Sequence, residues 1–392
     1  MSNLKVSILG INFENPFLLS SAPPTAKIES IDKAFELGWG GAVLKTITPD
    51  DLEMIEASER YATWKLGNKV CGFENIELLS HLTVQEWLDG IKFLKQKHPT
   101  KVQIASIMAP VVKEEWQKLV KQLNDSGIDA FELNFSCPHG MPEKGIGMAI
   151  GTNAEISSTI TKWVKEVATK PVFVKLSPNV TSIVEIAKAV EKAGADGISA
   201  INTIQCLMGV DLNTFQPKPN VNGKSTFGGY SGMSVKPVGL RCVAQIRQNT
   251  NLPILGMGGI STWEDAGEYI SVGANAVQVC TEVMVNGYGI IKQLKDGFLK
   301  YLESKNFNSP MDIKDKAIEN ITAHEKLNKT KKVCPFINNE LCVKCQKCVM
   351  ICHESEHDAL SFIDGEIKVD KGKCIGCSLC SHVCPKNAIS MK

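Results

Sequence analysis

Eight cysteines near the end of this chain fall into two copies of one spacing, and that spacing leaves few folds open to the segment carrying them. Cys342, Cys345, Cys348 and Cys352 read C-x2-C-x2-C-x3-C; Cys374, Cys377, Cys380 and Cys384 repeat it, with Pro385 directly after. Two-residue gaps let one tight loop wrap three thiolates around a cubane, while the offset fourth cysteine reaches the cluster of the other repeat. The spacing therefore predicts one [4Fe–4S] cluster on Cys342, Cys345, Cys348 and Cys384. A second is predicted on Cys374, Cys377, Cys380 and Cys352. A pair of zinc sites is the alternative, but zinc hooks are usually joined by longer spacers. Cys334, beside Pro335 and outside both repeats, reads as structural, as do Cys71, Cys206 and Cys242.

The rest of the chain bounds the compartment and partners. The opening MSNLKVSILG lacks a sustained apolar core, and no uninterrupted apolar stretch reaches the roughly 18 residues of a membrane span. A cytoplasmic metal-binding protein is expected rather than a disulfide-stapled secreted one. Lys and Arg number 43 against 42 Asp and Glu, a net charge of +1, which gives no reason to expect nucleic acid or an anionic membrane as a partner. A polar stretch, DIKDKAIENITAHEKLNKTKK at 312–332, reads as a polar helix or linker. The expected division is a catalytic domain over 1–305, a linker over 306–334 and a two-cluster domain over 335–392.

Through the first 300 residues, short β-branched runs alternate with helical patterns of ten to fifteen residues, the mark of repeated βα units. Strands are expected at 17–22, 42–47, 102–108, 130–136, 172–176, 197–202, 254–258 and 276–280. Helices are expected at 28–37, 84–95, 114–123, 155–167, 182–193, 237–248, 262–270 and 288–302. Eight such units fit an α/β fold of the (β/α)8 TIM-barrel type, followed by a small ferredoxin-like α+β domain. A hairpin over 6–15 would cap the barrel bottom. A doubly wound open sheet is the alternative fold, which eight consecutive units suit less well.

In a barrel, function collects at the C-terminal strand ends. There this chain places Ser20 and Ser21, Lys45 and Thr46, Asn134 with Ser136 and Cys137, Lys175 and Ser177, Asn202 and Thr203, Gly258 and Gly259, and Cys280 and Thr281. Glycines after strand seven let backbone N–H groups close on a phosphate. Electron wiring joined to a phosphate-binding barrel calls for a cofactor that accepts single electrons and donates a hydride, which FMN does. Lys45 or Lys175 is placed to stabilise a reduced flavin, although either could be an ordinary ion-pair partner. No GxGxxG segment follows a strand and opens a helix, so the chain shows no site of its own for NAD(P) or FAD and obtains electrons elsewhere.

The run NFSCPHGMPEKGIGMAIG at 134–151 resembles the dihydropyrimidine dehydrogenase branch of the class 1 dihydroorotate dehydrogenase superfamily. The segments SAPPT, GWGGAVLKT, GFENIELLS, VKLSPNVT, ADGISAINT, GGYSG and QVCT are similar to the family's barrel segments. The resemblance implies that Asn75, Asn134, Ser136, Asn202 and Thr203 hold a pyrimidine. It assigns Ser21, Lys45, Thr46, Lys175, Gly232, Gly258, Gly259, Cys280 and Thr281 to FMN, and makes Cys137 the general acid. His139, beside that thiol, reads as a solvated loop residue, and Pro142 stands where the long family members have Gly. The implied activity is reversible reduction of the 5,6 double bond of uracil or thymine, with electrons relayed through two [4Fe–4S] clusters from an FAD- and NAD(P)-binding flavoprotein subunit. A homo- or hetero-oligomer is implied. Oxidation of dihydroorotate and a non-catalytic electron-transfer role are the alternatives.

Overall fold

The computed structural model describes residues 2–52, 55–135 and 147–392; Ser136, Cys137, His139 and Pro142 lie outside the described residues. The chain forms two compact units, Met1–Asn320 and Ile321–Lys392.

The first unit is a closed parallel barrel of eight strands in chain order. They are Phe17–Leu19, Gly41–Val43, Val102–Ile107, Ala130–Asn134, Val172–Leu176, Gly197–Ala200, Ile254–Met257 and Ala276–Val279. All eight expected strands are present, several ending one to four residues early because the chain turns into the loops that build the site. The helices follow their amphipathic patterns. Ile28–Leu37, for instance, buries Ile31, Ala34 and Phe35 and stops at Gly38, whose φ of 105° a side chain would disfavour.

Period-two alternation sorts the barrel side chains into two environments. Phe17 and Leu19 face the helical layer, whereas Leu18 points inward with Val43, Ile104, Ala130, Phe173, Leu255 and Ala276. The hairpin Val6–Ile8 with Ile11–Phe13 closes this apolar plug by adding Val6, Ile8 and Phe13, so the expected bottom cap is present. One step of the pleat further, on every barrel strand except the seventh, where Met257 follows Leu255, the inward residues are polar: Ser20, Lys45, Ser106, Glu132, Lys175, Ser199 and Gln278, all buried. The interior thus changes from plug to polar floor over a single residue pair.

An antiparallel four-stranded sheet was not anticipated. Its order is Ile204–Cys206, Gly228–Ser231, Lys69–Asn75 and Tyr61–Leu66, built from the connections after barrel strands two and six. Gly72 is required where the Tyr230 ring crosses it, since a Cβ there would collide with that ring.

The second unit is small, with hairpin Leu360–Ile363 and Glu366–Val369, the pair Pro335–Ile337 and Ile389–Met391, and helices Lys347–Glu354 and Leu379–His382. Instead of the polar helix entertained for 312–332, the structure has 3-10 turns at Pro310–Asp312, Ile318–Asn320 and His324–Lys326, the first carrying Pro310 at its start. Met311, Ile313, Ala317 and Ile318 pack on the core of the first unit.

Helix Val84–Lys97 is tied to the strand-two end through Trp87, which is fully buried and donates from Nε1 to Ser80 Oγ at 2.8 Å. Ser80 N in turn donates to Thr46 O. Trp87→Ala is expected to cost about 3–5 kcal/mol through the cavity it leaves, and Trp87→Phe about 0.5–1.5 kcal/mol through the lost hydrogen bond to Ser80, whose Oγ keeps the one from Leu82 N. Denaturant midpoints followed by circular dichroism, with the ranking Ala below Phe below wild type, check this.

Candidate flavin and iron–sulfur sites

At the C-terminal end of the barrel the strands and the four-stranded sheet enclose a cleft of about 1230 Å³ of empty space, open at its mouth. All the residues assigned to FMN line it: Ser21, Lys45, Thr46, Lys175, Gly232, Gly258, Gly259, Cys280 and Thr281. Of those assigned to the pyrimidine, Asn75, Asn134, Asn202 and Thr203 line the same cleft. Ser136 and Cys137 fall outside the described residues.

The polar floor is one network. Gln278 Nε2 donates to Glu132 Oε2 at 2.8 Å, and Gln278 Oε1 accepts from Ser20 Oγ at 3.1 Å. Glu132 Oε1 makes no hydrogen bond and faces the Lys175 ammonium at 3.5 Å, with Glu132 fully buried and Lys175 4% exposed. Lys45 is likewise paired, with Glu77 Oε1 at 3.3 Å, while Glu77 Oε2 accepts from Tyr61 Oη at 2.7 Å. Both lysines are therefore ion-pair partners and cleft-lining residues at once. Glu132 and Gln278 escaped the sequence reading because single polar residues inside apolar strands look like interruptions of the pattern, and Glu77 because nothing in the loop after Asn75 signals its partner.

A second chain of bonds crosses the cleft. Thr46 Oγ1 shares hydrogen bonds with Ser21 Oγ at 3.2 Å and Ser106 Oγ at 2.9 Å, and accepts from Asn134 Nδ2 at 2.9 Å. Asn134 Oδ1 accepts from Asn202 Nδ2 at 3.3 Å, and Asn202 Oδ1 from Thr203 N at 2.8 Å. Residues assigned to flavin and to substrate are thus mechanically one unit. The Thr203 hydroxyl is buried with no hydrogen-bond partner among the described residues, the state of a group kept for a ligand. Asn75 is carried by the added sheet, where its Nδ2 donates to Gly229 O at 3.2 Å. Burial pushes the Cys280 thiol up to about 11, against the pull of Lys175 and Lys45, so it stays a neutral thiol.

The far side of the cleft is glycine-built. Gly259 has φ 72°, and a Cβ on it would lie 2.7 Å from Lys236 N and 2.9 Å from Gly232 O. That close approach gives backbone N–H groups access to an anion. Thr281 Oγ1 bonds Ser231 Oγ at 2.8 Å, joining the last strand to the added sheet. Volume, cradle and paired lysines fit a flavin mononucleotide.

In the second unit the eight cysteines line two separate cavities. Cys342, Cys345, Cys348 and Cys384 line one with about 360 Å³ of empty space, and Cys352, Cys374, Cys377 and Cys380 line another with about 390 Å³. The fourth cysteine crosses over in both. No three or more His, Cys, Asp or Glu among the described residues converge closely enough to share a single metal ion. Thiols spread round a cavity suit a cubane, whereas zinc needs them all about 2.3 Å from one point. Lys344 and Gln346 in one repeat, like Gly376 and Ser378 in the other, have positive φ, folding both loops alike around their cavities.

Residues 3–302 match the dihydroorotate dehydrogenase family, and residues 335–391 match the 4Fe-4S dicluster domain. The chain belongs to the dihydroorotate dehydrogenase family. Within it, the chain is 38% identical over 398 residues to the NAD-dependent dihydropyrimidine dehydrogenase subunit PreA of Escherichia coli, covering 99% of this chain and 95% of that one. It is 37% identical to the chloroplastic dihydropyrimidine dehydrogenase (NADP(+)) of Arabidopsis thaliana, over 84% of this chain and 80% of the other. The catalytic subunit of dihydroorotate dehydrogenase B (NAD(+)) from Pyrococcus furiosus is 37% identical, over 79% of this chain and 97% of the other. FMN is the family's cofactor and two [4Fe–4S] clusters are that of the dicluster domain, as read from the sequence. The bacterial relative is a subunit of a larger enzyme. No helix among the described residues is long and apolar enough to cross a membrane.

Two substitutions test the site. Gly259→Ala closes the cradle, and the purified protein is expected to carry little flavin while keeping its iron; absorbance after denaturation and iron assay measure both. Glu132→Ala strands the buried Lys175 charge and is expected to cost about 3–5 kcal/mol, whereas Glu132→Gln, which keeps the amide-sized contact to Gln278, is expected to cost less in the same unfolding assay.

Proposed function

We propose that this chain is the catalytic subunit of a dihydropyrimidine dehydrogenase, reducing the 5,6 double bond of uracil or thymine reversibly. The observation that carries the reading is the charge state of the cleft. Its lining holds two cations among the described residues, Lys45 and Lys175, and each already faces a carboxylate. Among the described residues a substrate carboxylate finds no unpaired cation there, while a neutral pyrimidine finds amides and a hydroxyl. This favours uracil or thymine over dihydroorotate, and the agreement over nearly the whole length with the bacterial dihydropyrimidine dehydrogenase subunit supports it.

Asn75, Asn134 and Asn202 present amide groups that pair with alternating carbonyl and N–H edges in either sense, and the Thr203 hydroxyl adds a contact. Ser136 belongs to the same set. When bound, FMN would supply hydride chemistry at C6 and one-electron exchange with the clusters. Cys137 supplies the proton at C5 as general acid. The Glu132 and Glu77 carboxylates hold the ammonium groups of Lys175 and Lys45 in fixed positions at the floor, and Ser21, Thr46, Cys280 and Thr281 complete the flavin contacts. Gly232, Gly258 and Gly259 let the backbone approach the phosphate. In the second unit, Cys342, Cys345, Cys348 and Cys384 ligate one cluster and Cys374, Cys377, Cys380 and Cys352 the other. A separate flavoprotein subunit that oxidises NAD(P)H delivers the electrons, in the cytoplasm, where thiolate ligands are kept reduced.

Anaerobic assays with reduced viologen test the reading. Uracil or thymine is expected to be consumed, and dihydroorotate with an electron acceptor is expected to be inert; the reverse pattern sinks it. Cys137→Ala is expected to lower turnover by about 10²–10⁴-fold with flavin and cluster spectra intact, and near-normal turnover in that variant removes Cys137 from its role.

A further inference from the structure

The two halves of the cysteine-rich unit share one scaffold and differ in charge. Asn338 and Asp370 occupy the same turn before the first cysteine of each repeat. Asn338 Oδ1 accepts from Glu340 N at 3.0 Å and its carbonyl from Cys342 N at 3.0 Å. Asp370 Oδ1 accepts from Gly372 N at 2.8 Å and its carbonyl from Cys374 N at 3.0 Å. The backbone job is nearly the same, Asp370 Oδ1 accepting also from Lys373 N at 3.2 Å, yet one side chain is a neutral amide and the other a carboxylate. Lys347 has Leu379 as its counterpart in the second repeat, and Lys386, close after Cys384, has Glu354, close after Cys352.

The two lysines lie at a cavity itself. Lys347 and Lys386 line the cavity of Cys342, Cys345, Cys348 and Cys384, while the other cavity has no Lys, Arg, Asp or Glu in its lining. Neither lysine has an ion-pair partner among the described residues, where the pairs of this unit are His353 with Asp358 and Lys368 with Glu366. Charges of the opposite sense weigh less. Lys344 sits by the Glu366 carboxylate and Lys373 by that of Asp358, which offsets one against the other. Glu340, Lys371 and Glu354 are exposed and line neither cavity; Asp370 is exposed too, but is tied to its site through the Cys374 N–H that its carbonyl accepts. Cys384 Sγ also accepts a hydrogen bond from Ala388 N at 3.2 Å.

A cluster gains a negative charge on reduction, so nearby cations and N–H donors to its sulfurs raise its potential and nearby carboxylates lower it. The two lysines and the N–H···S bond act in the same direction at one site, and Asp370 acts in the other direction at the second. We propose that the two clusters are unequal, that the one on Cys342, Cys345, Cys348 and Cys384 is reduced first, and that Lys347, Lys386 and Asp370 set the order. This rests on the ligand sets given above. A unit holding one electron then keeps it at the Cys342 site, and the Cys374 site carries charge only in passing or in the fully reduced unit.

An anaerobic redox titration of the full-length protein, followed by electron paramagnetic resonance, reads both potentials. Wild type is expected to show two resolved one-electron steps. The double variant Lys347→Gln, Lys386→Gln is expected to move the upper step to lower potential and leave the lower in place, and Asp370→Asn to move the lower step upward alone. A single unresolved step, or lysine substitutions that move the lower step, overturns the proposal while leaving the ligand sets standing. Iron and sulfide for fewer than two cubanes in reconstituted wild type overturns those sets, and the proposal with them.

Discussion

The buried pair of Lys175 and Glu132 is the constraint around which the barrel is arranged. A carboxylate with no exposure at 3.5 Å from a nearly buried ammonium survives only if both charges are otherwise held. Gln278 supplies that hold to Glu132 and passes it to Ser20 and Ser199, so strands one, four, five, six and eight meet at one polar point. Below it, Leu18, Phe173, Leu255 and their neighbours exclude water; above it lies the cleft. The apolar plug makes the charges costly, and the costly charges fix the floor on which a flavin ring can be oriented.

The second lysine extends the same logic outward. Lys45 is matched by Glu77, and Glu77 by Tyr61, which stands on the added sheet. Charge pairing therefore links the barrel mouth to the sheet that carries Asn75. The hydrogen-bonded line through Ser21, Thr46, Asn134 and Asn202 does the same between strands. Cofactor side and substrate side are set by shared bonds, so a change at one shifts the geometry of the other.

How much of this was legible in the sequence follows from how local each signal is. The barrel strands announce themselves as short apolar runs, and the cluster loops by cysteine spacing, because both depend on neighbours in the chain. The glycines at 258 and 259 were legible for the same reason. Tyr61–Leu66 and Lys69–Asn75 also carried a local signal, alternation on either side of Gly67 and Asn68, a known hairpin turn pair. Their pairing with Gly228–Ser231, far along the chain, left no such trace. Nor did the Glu132–Gln278 bond, since nothing in AFELN or AVQV says that two polar residues on different strands will meet. The contact of half-buried Cys206 with the buried Glu74 was equally silent: Cys206 looked like packing, and its thiol is pushed up to about 12 by burial and by the neighbouring carboxylate.

The four-stranded sheet has an evolutionary corollary. Its strands come from two insertions into a barrel that closes without them, and they bring Phe73, Asn75, Tyr230 and Ser231 to the cleft wall. The barrel closes its own strand ladder, and the wall is joined to it at a few points, through Glu77 on Lys45 and Ser231 on Thr281. Divergence among enzymes of this architecture can therefore proceed by rewriting two loops, exchanging one ring substituent for another as the preferred ligand, provided the few bonds that tie those loops to the floor are kept.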